Sequence, residues 1–201
     1  MKPVSERRRI EPWRLLHSIY SFSDRWLKLR SDTVRLPGGS TLTPYHVIEA
    51  ADWVNVVAIS EAGCIVLVEQ YRHAVTRTML EIPAGHIDAS EAPQDAARRE
   101  LLEETGYGGG TWHPLGALHP AASRFTNQVH SFLALGVTRQ AAPRQDESES
   151  LRVHEIAWPA FAAGLRDGSL RLPEANQMSS LLLVHLLAGT SSDPAVQRLK
   201  L

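Results

Sequence analysis

The sequence lacks most of the features that place a chain in a compartment or class at first sight. It has one cysteine in 201 residues, so no internal disulfide can form. That residue, Cys64, stands in the apolar run Cys-Ile-Val-Leu-Val and reads as a small core side chain rather than a reactive thiol. No apolar stretch approaches the roughly 18 residues that cross a bilayer. The amino terminus has Arg7, Arg8 and Arg9 without the apolar segment of a secretory signal. A net charge of −1 gives bulk electrostatics no reason to draw the chain to nucleic acid or to an anionic membrane. These absences predict a soluble cytoplasmic protein. The length suits one domain over 1–201, with residues 1–11 as a loose arm and no internal boundary.

Strand signals come next. Trp26 to Arg30 alternates, Thr33 to Leu36 continues it, Pro37-Gly38-Gly39 marks a turn, and Thr41 to Ala50 runs back, which predicts an antiparallel hairpin within an amino-terminal strand region over 12–52. Val54–Ser60, Cys64–Gln70, Met79–Ile82, Val129–Leu135 and Val153–Trp158 read as further strands. Helices are expected over 91–105, 159–167 and 174–188, the first with Pro93 in its opening turn and Gly106 beyond its end. Strands and helices mix without a regular βαβ alternation. The expected fold class is therefore α/β, a mixed sheet with helices packed on its faces.

One stretch of that first helix stands out. Glu100, Glu103 and Glu104 crowd a single turn, and like charges at such spacings each cost a helix roughly 0.2–0.5 kcal/mol. At 3.6 residues per turn, Glu103 and Glu104 flank Glu100 by about 60° and 40°, so the three carboxylates can share one volume. Clustered hard oxygen donors suit Mg²⁺ or Mn²⁺ rather than zinc. A solvated acidic face balanced by Arg98 and Arg99 is the alternative for an arbitrary helix. The surrounding spacing argues against it: Gly85-x5-Glu91-x7-Arg99-Glu100-Leu101-x-Glu103-Glu104-x-Gly106-Tyr107. A chance match in a chain of this length is on the order of 10⁻⁷.

That spacing resembles the Nudix box, and the chain is similar to the Nudix hydrolases, which cleave nucleoside diphosphates linked to another moiety. The resemblance implies an α/β/α sandwich, with the box as a loop–helix–loop. It implies Glu100, Glu103 and Glu104 as metal ligands, joined by the carbonyl of Ala84, with Gly85 letting the backbone come close. Glu91 and Arg99 become an ion pair that orients the helix, and Gly106 closes it. Val68-Glu69-Gln70-Tyr71-Arg72 and Glu81-Ile82-Pro83-Ala84-Gly85 resemble the ADP-ribose pyrophosphatase branch. That branch implies Arg72 and Glu81 on the substrate side and a homodimer built through the amino-terminal strands. Its catalytic base comes from an acidic loop, here Asp146 to Val153, with Glu149 first and Glu147 second; Glu104 is a third candidate.

The match loosens beyond the box. Around Leu118 to Gln128, Pro120 comes early, a glycine is missing and Gln128 replaces an expected acid. Arg124, Asn127 and His130 are candidates to line the pocket. A small nucleotide substrate is expected, either ADP-ribose or another ADP-linked or nucleotide sugar. A non-catalytic ligand sensor, and a hydrolase of dinucleoside polyphosphates or modified nucleoside triphosphates, are the alternatives.

Overall fold

The computed structural model describes residues 10–144 and 150–201. The predicted base candidates Glu147 and Glu149, and most of the basic amino-terminal arm, therefore lie outside the described residues. The chain forms two compact units, one of residues 1–51 with 121–127, the other of 52–120 with 128–201.

The first unit is a three-stranded antiparallel sheet in the order β1 (Arg14–Ser23), β2 (Leu27–Arg35), β3 (Thr41–Ala50). Asp24 turns the chain from β1 into β2 by accepting the N–H groups of Trp26 and Leu27 at 2.7 and 2.9 Å. The β2–β3 turn is the anticipated one, with Gly39 at φ 86°. Strand β1 is not anticipated. Its apolar residues fall on both faces (Leu15 and Leu16, Ile19 and Tyr20), so no two-residue period marks it. The buried carboxylate of this sheet, Asp32, is held by Arg30 at 2.9 Å and by the Ser18 hydroxyl at 2.6 Å; Arg30 also pairs with Glu49. Phe125 of the 121–127 segment bridges to Ile48.

The second unit carries an eight-stranded mixed sheet whose main path runs β11 (Leu151–Ala157), β5 (Cys64–Arg72), β4 (Trp53–Ser60), β10 (Val129–Arg139), β8 (Tyr107–Gly108). Only β4 and β10 are parallel. Strand β9 (Thr111–Leu118) pairs with β10. The sheet forks at its centre. Strands β4 and β5 pair only at Ala58–Val66 and Ile59–Ile65; beyond that β6 (Arg77–Glu81) pairs with β5 and β7 (Ala84–His86) with β4.

Alternation along β4 decides where the helices go. Val54, Val56 and Ala58 face one side with Ala96, Ala97 and Leu101 of α1 (Pro93–Thr105). Val57 and Ile59 face the other, with Phe161 of α2 (Trp158–Asp167), Leu181 and Val184 of α3 (Ala175–Thr190) and Val196 of α4 (Pro194–Gln197). A strand buried on both faces is what an α/β/α sandwich requires. Each fully buried aliphatic side chain contributes about 1.5–3 kcal/mol. Cys64 opens β5 only half-buried, so it belongs to the core's margin rather than its centre. No helix among the described residues is long and apolar enough to cross a membrane.

Candidate active site

Helix α1 is held at both ends by local chemistry. Proline occupies its first turn, where a missing N–H costs nothing. Gly106 ends it at φ 75°, donating its N–H to the Leu102 carbonyl at 2.8 Å. A Cβ on Gly106 would lie 2.2 Å from the Ala141 carbonyl oxygen, so both the left-handed backbone and the neighbouring chain demand glycine. Buried Leu101, Ala96 and Ala97 pin the opposite face to the sheet. The acids thus project near the helix end, whose last turn holds no basic residue and where the helix dipole is negative.

Their partners come from the loop before the helix and from Arg99. A Cβ on Gly85 would fall 1.9 Å from the Glu100 carboxyl carbon, so Glu100 lies directly against the bare backbone of Gly85. Glu104 is 5% exposed and accepts the Ala84 N–H at 3.0 Å. Arg99 grips Glu91 with two bonds, Nε to Oε1 at 3.0 Å and Nη2 to Oε2 at 2.9 Å, and donates to the His86 carbonyl at 2.9 Å. Its remaining nitrogen, Nη1, serves Glu100 at 2.8 Å and Glu103 at 3.2 Å. These hydrogen bonds raise the Arg99 pKa further and hold the Glu91 carboxyl below the usual glutamate range. Arg98 turns away, with its guanidinium 5.5 Å from the centre of the Trp112 ring.

The structure thus brings Glu91, Arg99, Glu100 and Glu103 together, and Glu104 with Ala84. No three His, Cys, Asp or Glu side chains among the described residues are grouped as a ready ion cage. The donor set still fits a hard dication. Glu100 rests in a cradle that any Cβ at position 85 would fill. Glu100 and Glu103 share one guanidinium nitrogen, while Nε and Nη2 of Arg99 stay bound to Glu91 and His86 without them.

A second group lies at the ends of β5 and β6. Arg72 forms a fork on Glu81, Nε to Oε1 at 2.8 Å and Nη2 to Oε2 at 2.6 Å. Glu81 is fully buried, and its hydrogen bonds are the main cause that raises the Arg72 pKa. Gln70 and Gln177 also donate to Oε2 of Glu81, at 3.4 and 3.2 Å. A buried carboxylate demands such partners; removing one side of a buried pair typically costs about 3–5 kcal/mol. Sequence reasoning missed Gln177, which sits within an apolar helix where only its polarity at a core position could have marked it.

Arg124 and Asn127 belong to the first unit. Arg124 lies over the Tyr45 ring at 5.2 Å and donates to the His46 carbonyl at 3.3 Å; Asn127 is buried. His130 is half-buried on β10 and reaches Asp52 at 3.5 Å. Glu147 and Glu149 lie outside the described residues; just before them, the Arg144 N–H donates to the Glu103 carbonyl at 2.8 Å.

Known proteins resemble this chain. The profile of the nucleoside diphosphate sugar hydrolase N-terminal domain matches residues 13–48. An ADP-ribose pyrophosphatase of Mycobacterium tuberculosis is 39% identical over 123 residues, which are 61% of this chain and 59% of that enzyme. The chain thus matches less than two thirds of that relative's length. An ADP-ribose pyrophosphatase of Bacillus subtilis is 33% identical over 136 residues, 67% of this chain and 73% of that enzyme. The crystal structure of an ADP compounds hydrolase superimposes with a TM-score of 0.78 over 93% of this chain and 100% of its own, at 23% identity, a likeness of fold. The NUDIX domain profile matches residues 51–175, more than half of the chain, and on that ground the protein belongs to the Nudix hydrolase family.

Proposed function

We propose that the protein is a Mg²⁺-dependent hydrolase of the pyrophosphate bond in a nucleoside diphosphate linked to a sugar, ADP-ribose or another ADP- or nucleotide sugar, releasing two monophosphates. The observation that carries this reading is the seating of Glu100 against the Gly85 backbone, which joins the helix acids to the loop that precedes them. The relatives named as ADP-ribose pyrophosphatases support the substrate class.

Glu100, Glu103 and Glu104, with the carbonyl of Ala84, would hold the cation; Mn²⁺ is the other candidate. When bound, a divalent ion neutralises phosphate oxygens and acidifies water. The chain's own residues do the rest. Glu91 and Arg99 fix the helix. Arg72, braced on Glu81, presents its outer edge to a phosphate or ribose. A carboxylate, Glu149 first, then Glu147 or Glu104, accepts the proton of the attacking water as the bridging P–O bond breaks and its oxygen leaves on one monophosphate. Arg144 bonding to Glu103 supports a base from the segment that follows it. Arg124 and Asn127 remain candidates for substrate contact. We also assign a cytoplasmic homodimer, supported by the single cysteine and by the exposed apolar residues of β1.

The test is a substrate panel with Mg²⁺ and with Mn²⁺, covering ADP-ribose, ADP-glucose, GDP-mannose, NADH and diadenosine polyphosphates. Metal-dependent release of two monophosphates from a nucleotide sugar is expected. No turnover anywhere in the panel, or turnover of the diadenosine polyphosphates alone, would sink the assignment.

A further inference from the structure

Helix α3 is apolar along most of its length, yet its first turns point three polar side chains inward, Gln177 and Ser180 buried and Asn176 half-buried. Asn176 and Ser180 accept from Asn55 of β4, both at 3.2 Å. Gln177, between them, is 2% exposed and uses both ends of its amide. Its Oε1 accepts the Ile82 N–H at 2.9 Å, and its Nε2 donates to Glu81 at 3.2 Å. An apolar side chain of the same size would leave the Ile82 N–H and an oxygen of buried Glu81 without this partner, at about 1–3 kcal/mol for each buried group left unpaired. The amide therefore answers something specific, and both of its partners lead to the site.

The first partner, Glu81, is the acid gripped by the Arg72 fork. The second, Ile82, lies two residues before Ala84. Its N–H is the start of a series of anchors along the loop: Gln177 on Ile82, the Val56 N–H on the Pro83 carbonyl at 2.9 Å, and Glu104 on the Ala84 N–H at 3.0 Å. We infer that Gln177 is a two-armed positioning residue: through Glu81 it sets the angle of the Arg72 guanidinium, and through Ile82 it sets the height of the Ala84–Gly85 backbone beside Glu100. This rests on the functional reading above, in which Arg72 meets the substrate and the Ala84–Gly85 loop floors the metal site.

The two arms separate by substitution. Gln177→Glu keeps an oxygen for the Ile82 N–H but sets a second carboxyl group against the buried Glu81 carboxylate, so the two repel or share a proton and the hold of Glu81 on Arg72 weakens. It acts mainly on KM for the nucleotide sugar, raising it about tenfold. Gln177→Leu loses both arms and lowers kcat as well. Arg72→Lys keeps the charge but loses the fork, and also raises KM about tenfold. The decisive measurement is the Gln177→Glu/Arg72→Lys double-mutant cycle with Mg²⁺, assayed below the melting temperature of every variant. A double variant whose KM stays within about threefold of the single variants supports the inference, whereas an additive rise of about a hundredfold overturns it. Equal kcat losses in Gln177→Glu and Gln177→Leu overturn the separation into two arms. The cycle needs only the conservative variant, so a Gln177→Leu chain that fails to fold does not spoil it. A wild-type protein without metal-dependent turnover overturns the functional reading and this inference together; an active wild type with additive effects overturns this inference alone.

Discussion

In the eight-stranded sheet a strand such as β4 has both faces covered, whereas in the three-stranded sheet β1 leaves both largely in solvent. Val54, Val56, Val57 and Ala58 are fully buried, while Leu15, Ile19 and Phe22 are 54%, 59% and 51% exposed. Charges are handled alike in the two sheets. Asp32 has Arg30 and Ser18, and Glu81 has Arg72, Gln70 and Gln177. The difference lies in apolar surface alone. One sheet completes its core from its own helices and can then support acids in unfavourable positions. The other presents large side chains that a second copy of the chain would cover, as proposed above. Loss of chemistry should therefore follow changes in the helix and loop of the eight-stranded sheet, and loss of assembly should follow changes in β1.

Four experiments can break or sharpen that division. The largest effect is expected from Glu103→Gln, which should cut metal-dependent kcat roughly 10²–10³-fold. Among the described residues Glu103 makes one side-chain bond, to the shared nitrogen of Arg99, so circular dichroism melts should be unchanged or slightly higher. Wild-type turnover in that variant would remove Glu103 from the ligand set. Gly85→Ala comes next. The new methyl group meets the flexible end of Glu100, which can swing aside, so stability should fall by about 1 kcal/mol or less while kcat falls about tenfold or more. A large melting shift with full activity would contradict the cradle.

On the other sheet, Ile19→Asp with Phe22→Asp should convert a dimer to a monomer by light scattering while leaving the far-ultraviolet spectrum intact. A wild-type monomer would deny β1 a second copy as its cover. The smallest effect concerns Glu91. Because Arg99 holds its carboxyl below the ordinary range, the pair's stabilisation is fully present above that range and is lost as pH falls through the lowered value. Glu91→Gln should melt roughly 2–4 °C below wild type at neutral pH, and the gap should close in acid. A gap independent of pH would mean that charge is not what Glu91 contributes.

Much of this was legible in the residues. The glutamate spacing and its flanking glycines name the helix and its carboxyl end, because a helical period and a left-handed terminus leave local marks. The hairpin of β2 and β3 is legible for the same reason. What escapes is set by partners distant in sequence. Strand β1 buries neither face, so alternation has nothing to record. Strand β7 is three residues long, and β9 contains Pro114 and Gly116, which read as breakers. Gln177 meets Glu81 and Ile82 from nearly a hundred residues away, and an apolar period hides it among leucines. Resemblance makes Arg72 and Glu81 candidates for the substrate side, but that the buried acid braces the guanidinium is visible only in three dimensions.

The fork between β4 and β5 has one more consequence. Because β6 and β7 are woven into the gap, the stretch from Glu81 to Gly85 is a seam of the sheet rather than a loop laid over it. Within that seam the Ile82 and Ala84 N–H groups are held by the buried side chains of Gln177 and Glu104 and the Val56 N–H by the Pro83 carbonyl, so amide deuteration at Ile82 and Ala84 should keep pace with Val56 and not with surface turns. Thermal breathing that would blur an exposed binding loop is thereby denied to the spot where the catalytic ion's backbone contact would form.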